Sequence, residues 1–227
     1  MNGIIRQRKI DTLWIGICFI SAAVFSIIGL KMYDPILNET NYIKTAHLHK
    51  GQIVFGAICE LILVVSMLGS AIFMFPYLNR NKSNMGVVYI SFRAFECVFV
   101  SIGLIAVLAV LSISVAYSNG IFQSIDTLQV VGYSFKAIHK WCFIIGPNFM
   151  LAINTFIYNY AFLKDKMLPK YLNIWGIFAA LLMMFAALLE MFGVIEQISS
   201  WGVLLALPIA LFEMTFAVWL IVKGFRF

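Results

Sequence analysis

Apolar positions in this chain come in long unbroken blocks, not in the two- or three-to-four-residue rhythm of a half-buried strand or a surface helix. Six blocks stand out, over about 13–33, 51–75, 86–117, 134–163, 172–194 and 201–223. A run of about 20 apolar residues spans the ~30 Å hydrocarbon core as a helix. The third and fourth blocks exceed that length, so they are expected to tilt or to project beyond the surface. The polar stretches between blocks are short, the longest about 16 residues, too few for a soluble domain with a core of its own. The pattern therefore predicts an all-α, polytopic membrane protein. Residues 1–227 form a single domain, a six-transmembrane-helix bundle with antiparallel neighbours joined by short connections.

Composition agrees. Of the 227 residues, 63% are hydrophobic and 11% charged, against roughly 25% charged in an average soluble domain. The mean hydropathy is +0.96. The net charge of +6 lacks the basic stripe with interleaved aromatics of a nucleic-acid binder, so no nucleic-acid partner is expected. The basic residues instead mark topology. Arg6, Arg8, Lys9, Arg80, Lys82, Lys164, Lys166, Lys170, Lys223 and Arg226 fall on one side of the predicted bundle, against Lys31, Lys44, Lys50, Lys136 and Lys140 on the other. The positive-inside bias places both termini in the cytoplasm, and the expected location is a cell membrane, specifically a bacterial cytoplasmic membrane. The first block resembles a secretory signal, but Lys31 and Tyr33 follow where a cleavage site would stand, so it is read as a retained helix. Cys18, Cys59, Cys97 and Cys142 fall in separate apolar blocks, which argues against a disulfide framework.

Charge inside the blocks is the feature that carries chemistry. An ionisable residue at the centre of a membrane helix costs roughly 2.5–3.5 kcal/mol on the insertion scale and marks a functional candidate. Glu60, Arg93, Glu96 and Glu213 occupy such positions, as does Asn148 within Gly146-Pro147-Asn148, and Glu190 lies nearer a surface. At 1.5 Å per residue, Glu60, Arg93, Glu96, Asn148 and Glu213 all fall within roughly 10 Å of the midplane. A shared polar centre is thus geometrically allowed. Small residues beside Glu60 and Glu213 turn both carboxylates into the bundle. Arg93 should ion-pair with Glu96, Glu60 or Glu213, since an unpaired buried guanidinium is costly. One arginine compensates one carboxylate, so at least one surplus acid is left to hold a proton or a cation. Glu213, five residues after Pro208, is the preferred candidate. Its alternative partners are Asn148 and Arg93, in a purely structural role.

A second, weaker cluster joins His47, His49 and His139 with Glu190 near the opposite surface as metal-ligand candidates. His47 and His49 share a side only if their stretch is extended. No phosphate loop, nucleophile elbow or paired haem histidines occur, and no cofactor is expected.

Four segments carry a family likeness: Gly56-Ala57-Ile58-Cys59-Glu60-Leu61-Ile62, Arg93-Ala94-Phe95-Glu96, Leu168-Pro169-Lys170-Tyr171-Leu172-Asn173-Ile174-Trp175-Gly176, and Leu207-Pro208-Ile209-Ala210-Leu211-Phe212-Glu213. On these the chain resembles, over nearly its full length, the bacterial domain-of-unknown-function 4386 family of six-helix integral membrane proteins. Phe212 stands where the family pattern carries Asn. The resemblance implies the architecture and brings no activity with it. Three functions remain in competition. The first is binding or transport of a small amphipathic or cationic ligand, linked to protons. The second is a structural, accessory or immunity-type membrane protein without catalysis. The third is a membrane enzyme using an outer-face His/Glu site. Membrane lipid is the expected surrounding partner; a homo-oligomer or a membrane partner protein fits the second reading.

Overall fold

The computed structural model describes residues 2–80, 83–122, 124–197 and 199–226, with side chains from residue 8 onward. The Arg6 side chain and Lys82 of the basic-residue comparison lie outside what is described. All regular structure among these residues is helical, and six helical segments are long and apolar enough to cross a membrane. The protein is a multi-pass membrane protein. The first crossing is α1 (Asn2–Met32). Two short helices, α2 (Asp34–Leu37) and α3 (Tyr42–Thr45), and a 3-10 turn (Ala46–His49) lead into α4 (Lys50–Leu78). The third crossing is α5 (Met85–Ser118). The fourth is composite: α6 (Ile125–Phe143), a π-helical segment (Ile144–Met150) and α7 (Leu151–Lys164). Helices α8 (Lys170–Met191) and α9 (Ser200–Val222) complete the bundle.

Six crossings put both termini on one face, called here the terminal face; the other is the distal face. Each crossing packs on its neighbours in sequence, and α9 packs back on α1, closing a ring. Glycines set the closest approaches. A Cβ on Gly16 would lie 2.7 Å from the Ala217 carbonyl oxygen of α9. A Cβ on Gly56 would lie 2.8 Å from Met32 Cβ and 3.1 Å from the Gly29 carbonyl oxygen of α1. Such contacts let membrane helices meet backbone to backbone, where no hydrophobic driving force would hold them.

Boundaries differ from the sequence expectation mainly in the fourth crossing, which begins at Ile125, not near 134. One side of the extra turns of α6, at Leu128 and Gly132, is covered by the Asp34–Lys50 segment. Tyr42, Ile43 and Ile36 pack there with Val107, Val110 and Leu128 in a separate apolar cluster. Gly132 admits the Tyr42 ring, where a Cβ would approach to 2.8 Å. Pro147 explains the π segment. Proline removes an N–H and its ring clashes with the carbonyl four residues back, and widening the helix accommodates both.

On the terminal face the last helix does not simply trail off. Gly224 takes φ +68°, a left-handed conformation that glycine adopts without strain. The chain then turns back, Phe225 packs at a tilt against Tyr77 and Phe162 at 4.7 and 4.8 Å between ring centroids, and the Arg226 amide donates to the Met167 carbonyl at 2.8 Å.

Candidate functional site

The membrane-embedded charges form two layers instead of one centre. The lower layer lies on α5, α7 and α9. Arg93 is eight residues into α5, about 12 Å above its terminal-face end, and Glu213 and Asn154 lie about 14–15 Å above the ends of their helices. Arg93 donates from Nη1 to Glu96 Oε2 at 2.8 Å and from Nη2 to the Tyr89 hydroxyl at 3.1 Å. The same Glu96 oxygen accepts from Asn154 Nδ2 at 2.7 Å. Spacing builds this from one helix: Tyr89, Arg93 and Glu96 are four and three residues apart and share a face. The guanidinium also sits 5.5 Å from the Tyr89 ring centre and 6.0 Å from that of Phe19. The ion pair expected of Arg93 is therefore present, and its partner is Glu96.

Glu213 belongs to this layer without being bound into it. It is close enough to interact electrostatically with Arg93, Glu96 and Tyr158. Among the described residues it makes no side-chain hydrogen bond and no ion pair. Phe212 beside it is fully buried, stacked with Tyr158 and Phe216 and met edge-on by Trp175. Phe212 thus packs as core. Since Arg93 is already neutralised by Glu96, a charge on Glu213 has no partner of its own.

In the upper layer Glu60, Asn148 and Glu190 lie about 24–30 Å above the terminal-face ends of their helices, and His139 about 38 Å. Glu60 accepts a 3.1 Å hydrogen bond from the Tyr33 hydroxyl. Gly29 makes room for it, since a Cβ there would lie 3.0 Å from Glu60 Cγ. His139 is buried edge-on against the Tyr33 ring at 6.1 Å. Asn148, grouped by depth with Glu213, instead donates to Glu190 Oε2 at 2.6 Å. The reason is rotation: the π segment turns Asn148 toward α8, not toward α9.

A cavity of about 330 Å³ joins the two layers and is bordered by all six crossings. Arg93, Glu96 and Glu213 line it below, and Glu60, His139 and Asn148 line it above. The remaining wall is chiefly apolar, including Phe19, Leu63, Met67 and Ile209.

The histidine cluster does not assemble. His47 and His49 lie in a 3-10 turn, not in an extended stretch. His47 is tied by its backbone amide to Ser114 Oγ at 2.9 Å, and His49 is exposed. His139 faces Tyr33, and Glu190 is engaged by Asn148. Among the described residues no group of three or more His, Cys, Asp or Glu side chains is placed to hold a metal ion. The four cysteines are free.

Sequence reasoning passed over Tyr33, Tyr89 and Asn154. The four-residue step from Tyr89 to Arg93 was readable. The contacts of Tyr33 and Asn154 cross helices and have no local signal.

A family model described as a domain of unknown function, DUF4386, matches residues 14–224. No curated protein and no solved structure matches the chain.

Proposed function

The chain belongs to the DUF4386 family, and on that footing we propose that it binds a small amphipathic cation in its interior cavity, with the Glu213 carboxylate as counter-charge and a proton as its competitor. The observation that carries this reading is an acid without a hydrogen-bond or ion-pair partner among the described residues, facing a largely apolar space of about 330 Å³. That volume lies at the lower end of the roughly 300–1,000 Å³ range of small-molecule sites. Apolar walls suit a short alkyl or aryl body. A carboxylate whose neighbouring arginine is already paired suits a positive head. Ile27 of α1 and Ala210 of α9 line the cavity yet remain exposed, which favours entry from the lipid between these two helices. Below them, Gly16 seals the same seam against Ala217. We place the termini in the cytoplasm of a bacterial cell, on the basic-residue bias, and the entry in the outer half of the membrane.

The structural alternative expects a bundle packed through its centre, and the cavity weighs against it. The enzyme alternative needs an outer-face group of histidines and acids, and the separation of His47, His49 and His139 weighs against that. A test uses three probes sharing one chain: octyltrimethylammonium, octyl sulfate and octanol. Thermal unfolding of the protein in lipid nanodiscs should rise with the cation and not with the other two. Glu213→Gln should unfold at the parent temperature and lose the cation effect. Equal shifts from all three probes would reduce the cavity to an unselective lipid pocket and overturn the proposal.

A further inference from the structure

Below the cavity, the seam between α7 and α8 holds a run of buried polar side chains; Asn154 and Asn159 donate to Glu96 and to the Thr155 carbonyl, but several polar atoms of the run have no partner among the described residues. Asn154, Thr155, Tyr158 and Asn159 recur on α7 at spacings of one, three and four residues, and Asn173 faces them from α8; all five are 0% exposed. Asn154 Oδ1, Thr155 Oγ1, Tyr158 Oη, Asn159 Oδ1 and both amide atoms of Asn173 have no hydrogen-bond partner among the described residues. Both ends of the Asn173 amide are orphaned, so turning it over changes nothing. The Thr155 and Tyr158 hydroxyls face each other at the edge of hydrogen-bond geometry. Nearly all buried polar groups in proteins find a partner, and where side chains supply none, ordered water does. Within a membrane there is no other source of partners.

The run has direction. It starts at Asn154, hydrogen-bonded to Glu96 on the cavity floor. Tyr158 lies next, its ring stacked on that of Phe212, the residue beside Glu213. Asn159 is packed against Gly176 of α8, where a Cβ would fall 2.4 Å from its Nδ2. Asn173 lies three residues nearer the start of α8. From Asn154 to the level of Asn173 the seam descends about 12 Å. There it meets an apolar floor of Phe162, Leu172 and Phe225, the last delivered by the turn at Gly224.

We propose that this seam is a hydrated path by which protons from the terminal face reach the Glu213 carboxylate, and that Phe225 is the plug that closes it. It extends the proposed cation site, since exchange at Glu213 requires a proton to arrive and leave. The step is a proton transfer alone: water at the terminal face gives up a proton, hydroxyls and waters pass it on, and Glu213 accepts it. Thr155 and Tyr158 each carry an O–H that can donate and accept. The asparagines orient water without relaying.

Two measurements test it, neither involving the cation probes. In full-length protein with Cys18, Cys59, Cys97 and Cys142 replaced by alanine, a single cysteine is placed at Thr155, Asn173 or, as a dry control, Ala179, which is equally buried. Silver ion, small and hydrophilic, is applied to proteoliposomes. Thr155→Cys and Asn173→Cys should react faster than Ala179→Cys by about an order of magnitude or more, as water reaches only the first two. Adding Phe225→Ala should accelerate both. The second measurement leaves the native cysteines in place. A potential is imposed on liposomes containing a pH-sensitive dye, and proton entry is followed. Phe225→Ala should raise the flux, and Phe225→Ala with Glu213→Gln should return it to that of the parent. Seam cysteines as inert as the control would make the seam dry. A flux indifferent to Phe225 would leave water but no path. Either result overturns the proposal, and neither bears on whether the cavity binds a cation.

Discussion

Replacing Arg93 with methionine removes a charge while keeping most of the side-chain volume, and so isolates the electrostatic role of the lower layer. Two hydrogen bonds vanish, the 2.8 Å pair with Glu96 and the 3.1 Å bond to Tyr89. A hydrogen bond to a charged group contributes about 1.5–3 kcal/mol. Stranding the other member of a buried pair costs about 3–5 kcal/mol in all. Glu96 keeps its 2.7 Å bond from Asn154, which softens the loss without abolishing it. A chain of this size shifts its midpoint by roughly 2–4 °C per kcal/mol. The variant should therefore unfold about 6–20 °C below the parent in the same lipid or detergent, read by intrinsic fluorescence. The double variant Arg93→Met with Glu96→Leu removes both charges, and replacing a buried pair whole is often close to neutral. It should recover more than half of the loss. A single variant as stable as the parent would show that Arg93 and Glu96 are not a coupled buried pair. So would a double variant whose loss equals the sum of the two singles, because the pair would then have no coupling to lose.

Tyr33→Phe deletes the donor to Glu60 and leaves a buried carboxylate one bond short, which should cost about 1–3 kcal/mol by thermal unfolding; no change would mean that Glu60 is satisfied otherwise. Gly56→Ala places a methyl group 2.8 Å from Met32 Cβ, and overpacking of this kind should cost about 1–3 kcal/mol, with Gly51→Ala, which meets nothing within 4 Å, as the neutral control. Impermeant thiol labelling of intact cells should reach cysteines placed at Lys44 and Asn119 and spare one at Arg80; the reverse pattern would invert the proposed orientation.

The fold was legible because the bilayer simplifies the problem. An unbroken apolar run such as 201–223 has essentially one way to satisfy its backbone, as a helix, and α9 indeed covers Ser200–Val222. Where the surroundings are mixed the pattern misleads. The stretch at Ile125–Tyr133 is not apolar enough to read as a span, and it becomes helix because Tyr42 and Ile43 cover it. The Asp34–Lys50 segment falls between the apolar blocks, yet it folds into α2, α3 and a 3-10 turn for the same reason. Among the candidate residues, the Arg93–Glu96 pair could be read because both sit on one helix, three residues apart. Asn148 could not be placed by depth alone. Depth gives a height in the bilayer and says nothing of the angle about the helix axis, which the π segment at Pro147 resets. His47 and His49 failed for a related reason: their grouping assumed an extended backbone, and a helical one sends them apart. The seam of Thr155, Tyr158 and Asn159 was visible as polar letters at helical spacing, but only its burial makes it chemically significant.

Glu213 is proposed to exchange a proton for an organic cation. Calorimetric titration of octyltrimethylammonium into the nanodisc-embedded protein near neutral pH, repeated in buffers of different ionisation enthalpy, counts the protons released on binding. If Glu213 is the counter-charge and is protonated when empty, binding should release up to about one proton per cation, with affinity rising as pH rises through the range where the empty site titrates. Glu213→Gln should bind weakly and release none. A parent protein that binds the cation with no buffer-dependent heat, or a Glu213→Gln variant that binds and releases protons as the parent does, would contradict the account.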